Sequence, residues 1–240
     1  MILDVLLFFP HPDDAELTMG GTIAKLVKNN LKVGIIDLTR GELGTRGNAE
    51  TRHKEATQAA AILKVSLREN LEIPDGNIEI SKENELKLVK VIRKYKPKLI
   101  FAPYFNDRHP DHISVSILAK KAYFSCGLPK VKTYENKKLQ EAHRPKRLFY
   151  SMHYYEFIPS FIVDISDTFE DKMKAVSCYG SQFYNPKSLE PETFISRPNF
   201  LNYIEARALT YGFKIGKSYG EPFFCEEEIE LDLLGFLKNE

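Results

Sequence analysis

Two short stretches of the chain bring imidazoles and carboxylates together: His11-Pro12-Asp13-Asp14-Ala15-Glu16 and Asp107-Arg108-His109-Pro110-Asp111-His112. His11 and Asp14 flank a tight Pro-containing turn, so both side chains can aim at one point. His112, arriving from the second stretch, completes a set of two imidazoles and one carboxylate. On zinc such a set leaves a fourth position for water, the arrangement of a catalytic site and not of a closed structural one. Zinc held this way lowers its water's pKa towards about 7 and polarises a carbonyl oxygen. Asp13, next to a ligand but pointing elsewhere, is then free to take the water's proton. His109 is placed to protonate a leaving amine, with the Asp111 carboxylate fixing its tautomer and orientation. One His-Pro-Asp alone reads equally well as a turn whose Asp caps the next helix. Two near-copies, each after an apolar run, read as a site.

Those apolar runs are what must position the chemistry. Ile2 to Phe9 is apolar except at Asp4, and Lys98 to Ala102 precedes the second cluster, as buried parallel strands should. Between them the pattern predicts a helix starting near Glu16 to Thr22, strands over 33–38 and 67–73, and helices over 50–63 and 83–95. A further helix is predicted over 111–125. This alternation predicts an α/β fold: a Rossmann-like, doubly wound, mainly parallel sheet with helices on both faces. In such a sheet, ligands bind in the crevice outside the strand C-termini, so clusters about a hundred residues apart can meet there. Past Gly127 the rhythm loosens, with strands expected over 147–153, 161–165 and 221–225 and helices over 168–179 and 199–212. An apolar tail, 231–237, is suited to docking on a neighbour. No repeat or linker divides the chain, which reads as one domain over 1–240.

The 240 residues carry 34 Lys+Arg against 33 Asp+Glu, a formal net charge of +1. No global field therefore points to nucleic acid or an anionic membrane. Cys126, Cys178 and Cys225 lack any close pairing and suit reduced thiols in a cytoplasmic protein. The N-terminal apolar run falls short of the about 20 residues a membrane span needs and lacks a basic start, so neither a span nor a signal peptide is expected.

At the residues already quoted, the chain resembles the zinc-dependent LmbE/PIG-L N-acetylglucosaminyl deacetylases. The loop Thr39-Arg40-Gly41-Glu42-Leu43-Gly44-Thr45-Arg46-Gly47, with Arg52, Glu55, Ala56 and Ile73-Pro74-Asp75-Gly76, resembles one branch more closely. That branch comprises the bacillithiol-biosynthesis deacetylases, which act on N-acetylglucosaminyl L-malate; chitooligosaccharides or another N-acetylglucosaminyl conjugate stand behind it as alternative substrates. The resemblance runs over most of residues 3–125 and returns at Glu205-Ala206-Arg207 and Tyr219-Gly220-Glu221-Pro222. Pro10 departs from the pattern, where relatives more often carry a small residue, and removes a backbone N–H at the strand's end.

The resemblance implies His11, Asp14 and His112 as ligands of one zinc per chain, Asp13 as general base, and His109 with Asp111 as its partner in catalysis. Fe²⁺ accepts the same donors. It further implies that Arg52 holds an acidic aglycone, and that the chain assembles into homo-hexamers, as relatives often do. Arginine's planar fork grips carboxylates bidentately, and malate has two. Arg46 and Arg108, with Arg40, would add to a cationic rim for a small acidic aminosugar. A tyrosine near Tyr184 would steady the oxyanion. Two other classes fit some of these residues. In a phosphoesterase, Asp13, Asp14, Asp37, Asp107 and Asp111 would hold two ions about 3.5–4 Å apart. A non-catalytic sugar- or nucleotide-binding domain would need neither the metal nor the spare carboxylate.

Overall fold

The computed structural model describes residues 1–230, so the expectation for the 231–237 tail lies outside the described residues. Strand β1 (Val5–Phe9) is buried along its whole length between two parallel neighbours, β2 (Val33–Asp37) and β4 (Leu99–Pro103). Its side chains alternate between two cores, as a period of two requires. Val5, Leu7 and Phe9 face one side, with α1 (Asp14–Lys28) and α2 (Ala49–Leu63). Leu6 and Phe8 face the other, with α3 (Lys82–Tyr95) and α4 (Pro110–Ser125). A strand apolar on both faces can sit only in the middle of such a sandwich, which explains its placement.

The sheet runs β3-β2-β1-β4-β7-β9-β8, where β3 is Leu67–Asn70, β7 Arg147–Ser151, β8 Phe161–Asp164 and β9 Gly220–Phe224. Strands β3, β2, β1, β4 and β7 are parallel, and β9 runs antiparallel between β7 and β8. A small hairpin, β5 (Tyr134–Glu135) with β6 (Lys138–Leu139), stands apart. Helices α5 (Phe169–Val176) and α6 (Phe200–Lys214) join the α1 and α2 side. The strand order reverses between β1 and β4, so the crevice opens at their adjacent C-terminal ends. Those are the ends that carry the two His/Asp stretches.

Local chemistry sets the boundaries. Asn48 and Ser81 accept from the backbone N–H of Thr51 and Asn84, capping α2 and α3, and Pro110 opens α4. Pro10 leaves pairing intact: its carbonyl accepts from the Thr39 N–H at 2.9 Å, just past the last rung of β1. Strand β3 ends at Asn70, short of 73, because Asn70 Oδ1 turns back to the Glu72 N–H. Helix α1 begins at Asp14, earlier than its apolar spacing implies, so Asp14 and Glu16 lie in its first turn.

Helix α1 is also broken at Met19, whose φ of −142° is not helical. Glu221, from β9, accepts from the N–H groups of Gly21 and Thr22 at 3.1 and 2.7 Å, and so caps the second half. Lys172 of α5, itself buried, neutralises that carboxylate at 2.6 Å. A side chain at Gly21 would strike Ile165 at 2.7 Å, so this close approach requires glycine.

Candidate metal centre and active site

His11 leaves the end of β1, and His112 lies in the first turn of α4, after β4. Both reach Asp14: His11 Nδ1 lies 3.2 Å from Asp14 Oδ2, and His112 Nε2 3.3 Å from Asp14 Oδ1. Donors on a tetrahedral zinc, with bonds of about 2.0–2.2 Å, lie roughly 3.3–3.5 Å apart. Each imidazole therefore stands from Asp14 at about the spacing of neighbouring ligands, and one donor atom from each of the three lies within 4.8 Å of the others. Each imidazole's other nitrogen lies beside a carboxylate: His11 Nε2 hydrogen-bonds Asp75 Oδ1 at 3.0 Å, and His112 Nδ1 lies 3.0 Å from Asp107 Oδ1 without the alignment of a hydrogen bond. This outer pairing fixes ring orientation and raises ligand basicity. Two nitrogens and one oxygen, two of them backed by acids, fit a divalent zinc or iron ion.

Asp13 stands apart from the ligands. Its φ of 124° is one L side chains rarely adopt, so the turn holds strained backbone at this residue. The group is buried yet lines a cavity of about 440 Å³ together with His11, Asp14 and His112. Arg52 holds it from behind, with Nη2 3.2 Å from Asp13 Oδ2 and 2.5 Å from the Pro12 carbonyl. Burial raises the Asp13 carboxyl to about 7, with Arg52 opposing and Asp14 adding to the rise. A carboxylate titrating near neutrality is well matched to accept and return a proton.

Burial also disfavours charge on His112, but the Asp14 and Asp107 carboxylates outweigh it and raise the imidazole to about 9. His109 goes the other way, lowered by burial and by His11 and His112. Its ring stacks on His112, 5.0 Å between centroids, at the cavity wall. Its Nδ1 accepts from the Asp111 N–H at 3.2 Å, so Nε2 carries the proton in the neutral ring. Asp111 thus fixes the His109 tautomer, but through its backbone amide. Its carboxylate does not reach His109. It accepts from the Gly76 and Ile78 N–H groups and lies 3.6 Å from His11 Nε2. At the first turn of α4 that carboxylate faces the β3–α3 loop, a direction sequence spacing does not give.

The arginines separate. Arg52 lines the cavity but is committed to Asp13. Arg46 is absent from the lining: its Nε lies 3.7 Å from Glu190, and its carbonyl accepts from Gln182. Arg108 does line the cavity, its guanidinium 4.4 Å from the Phe194 ring centre. Tyr184 is half exposed and outside the lining, whereas Tyr154 and Tyr203 are within it. Asp37 is unavailable for a second ion, since Arg68 binds both its oxygens, at 2.7 and 2.9 Å, and also Glu16.

Three residues carry more of the site than their sequence context suggests. Asp75 looks like a turn residue before Gly76, and Asp107 merely precedes the second stretch. His153, after β7, belongs to no motif, and its one signal is that it directly follows a parallel strand. Its Nε2 lies 3.1 Å from Asp14 Oδ1, its Nδ1 is buried without a partner, and its ring lies 4.1 Å from that of His112. Burial and His112 lower it to about 4, so it is neutral near pH 7. Arg207 holds its carbonyl and also donates to the Leu17 carbonyl at 3.1 Å, tying α6 to α1.

The family described as "PIG-L: GlcNAc-PI de-N-acetylase" matches residues 6–123, the segment holding most of β1, all of β4 and all three metal-facing side chains. The diacetylchitobiose deacetylase of Thermococcus kodakarensis is 31% identical over 233 residues, spanning 90% of this chain and 80% of that protein. A probable N-acetyl-alpha-D-glucosaminyl L-malate deacetylase 2 of Bacillus anthracis is 31% identical over 121 residues, 45% of this chain and 54% of its own length. The crystal structure of the conserved protein TT1542 from Thermus thermophilus superposes with a TM-score of 0.86 at 37% identity, covering 97% of this chain and 99% of that one. No helix among the described residues is long and apolar enough to cross a membrane. A near full-length relative above 30% identity and a metal-ready triad beside a spare buried acid agree: the chain belongs to the PIG-L/LmbE deacetylase family and is a metal-dependent N-deacetylase.

Proposed function

We propose that the chain hydrolyses the N-acetyl group of a glucosaminyl unit in an N-acetylglucosamine oligosaccharide, with zinc held by His11, Asp14 and His112. The observation that carries this reading is Asp13, a carboxylate inside the same cavity as the triad yet outside it, aimed by Arg52. When bound, the metal supplies Lewis acidity for the amide carbonyl and a water that loses its proton near neutral pH. Asp13 accepts that proton, and the Arg52 guanidinium keeps its carboxylate oriented while that happens. His109, protonated on Nε2 and set at the cavity wall, faces the developing charge of the tetrahedral intermediate. The departing amine takes its proton from Asp13, which passes on the one it removed from the water.

The malate conjugate is the weaker reading. Two carboxylates call for two free cations, and with Arg52 on Asp13 and Arg46 on Glu190, Arg108 alone of the three stays available. The relative named for diacetylchitobiose is 31% identical over 80% of its length, whereas two malate-named relatives are 31% identical over 54% of theirs and 25% over 82%. Acetate release from metal-loaded protein, offered N-acetylglucosamine oligosaccharides and the malate conjugate, tests the reading. Asp13→Asn should keep the metal and lose turnover on the order of a thousandfold or more. Normal deacetylation by that variant would refute the mechanism.

A further inference from the structure

Asp14 is held at both oxygens by groups other than its two fellow ligands' donor nitrogens. Oδ2 accepts from the His11 backbone N–H at 2.9 Å, and Oδ1 lies 3.1 Å from His153 Nε2. A carboxylate only accepts, so the second contact is a hydrogen bond when Nε2 carries the ring's proton. His153 Nδ1 is buried and has no partner, which leaves it the bare nitrogen. The ring sits between Phe9 and His112, with centroids at 5.8 and 4.1 Å, and its side chain is only 8% exposed. A purely apolar side chain would fill that space without stranding a polar atom. Packing therefore does not account for an imidazole here, and the Nε2 contact does.

The segment after β7 is itself anchored to the metal centre. Arg207 of α6 holds the His153 carbonyl and donates to the Leu17 carbonyl of α1 at 3.1 Å, which locks His153 to the helix that carries Asp14. The next residue, Tyr154, gives its N–H to Asp107 Oδ2 at 3.1 Å, and Asp107 Oδ1 faces His112. The end of β7 thus bears on two of the three metal-facing side chains, from outside the residues 6–123 that the family matches. We propose that His153 is a positioning residue for the metal centre, whose Nε2–H fixes the orientation in which the Asp14 carboxylate meets the ion. Without that donor the carboxylate is held at one oxygen only and is free to turn, offering the ion one oxygen or both. The role rests on the metal centre assigned above, and it touches neither substrate nor reacting atoms.

Three measurements test it. In zinc-loaded protein, nitrogen NMR of labelled histidine should find His153 with a proton on Nε2 and none on Nδ1. His153→Phe, which keeps a ring but no donor, should lower zinc affinity about 10–100-fold in competition against a chelator. Cobalt in place of zinc should change its visible spectrum in that variant, because the bands follow coordination number and geometry. His153→Gln, whose amide can place a donor near the same point, should restore most of the affinity and the parental cobalt spectrum. A bare Nε2 on His153, parental affinity and spectrum in His153→Phe, or a Gln variant as impaired as the Phe one would each overturn the role. If His153→Phe does not fold, the NMR assignment and the comparison of His153→Gln with His153→Ala decide in the same way. None of these readouts needs a substrate. Absence of acetate release from the parent protein would therefore overturn the deacetylase reading and leave the role of His153 standing.

Discussion

The floor of the cavity and its wall are built on opposite principles. On the floor, at the ends of β1 and β4, the central ionisable groups each face an opposite charge: His11 with Asp75, His112 with Asp107, Asp13 with Arg52. The wall, drawn from residues 154–203, is aromatic, partly open to solvent and nearly free of directional contacts. A reaction that must hold a cation and move one proton needs donors fixed to within fractions of an ångström. A surface that must accept a sugar needs area and shape, and tolerates some play. The contrast explains why the floor comes from strand ends and the wall from loops and a helix face.

The sharpest way to break the contrast is to remove a floor ligand. His11→Ala or His112→Ala should abolish metal binding, read by metal content after dialysis, and with it essentially all turnover. Retained stoichiometric metal would mean that the floor is held by other residues. A smaller effect is expected one layer out. Asp75→Asn and Asp107→Asn keep the ligands but lose the carboxylate behind each imidazole, and metal affinity should fall about 10–100-fold. Competition against a chelator measures it, and affinities equal to the parent protein would remove the second layer from the account.

The smallest expected effect concerns charge on the floor without metal. His112 is raised to about 9 in the folded chain, against about 6.5 for an unperturbed histidine. A group whose folded value is raised stabilises the fold fully below its unfolded value and loses that contribution as pH rises through the folded one. Metal-free protein should therefore lose stability between roughly pH 6.5 and 9, by at most on the order of 3 kcal/mol. Metal-loaded protein, whose imidazole is already deprotonated by coordination, should show no such loss in that window. Melting curves for both forms across the window test this, and a pH-independent melting point for the metal-free form would contradict it.

The floor is legible in the sequence and the wall is not, for physical reasons. His11, Asp14 and His112 sit beside prolines that fix turns, directly after strands whose apolar character on both faces announces a central position. What spacing cannot give is direction. The Asp111 carboxylate turns to the β3–α3 loop, Arg46 turns to Glu190, and Arg52 turns to Asp13, although all three stand where a substrate contact would be sought. The wall is harder still to read. Tyr154, Phe194 and Tyr203 follow no period, and before folding an aromatic facing a cavity looks like one facing the core. Others of the same type, such as Tyr150 and Tyr179, are indeed buried. His153 fails to stand out because one imidazole without a companion acid in sequence has no pattern to belong to.

The break in α1 ties the metal-facing turn to a strand far along the chain. All three metal-facing side chains emerge from the ribosome within residues 6–123, but the carboxylate that caps the second half of α1 waits at Glu221. Lys172 and Arg207, which steady that capped helix and its junction with α6, also arrive late. The helix whose first turn carries Asp14 thus depends for its second half on a carboxylate about 200 positions further along the chain.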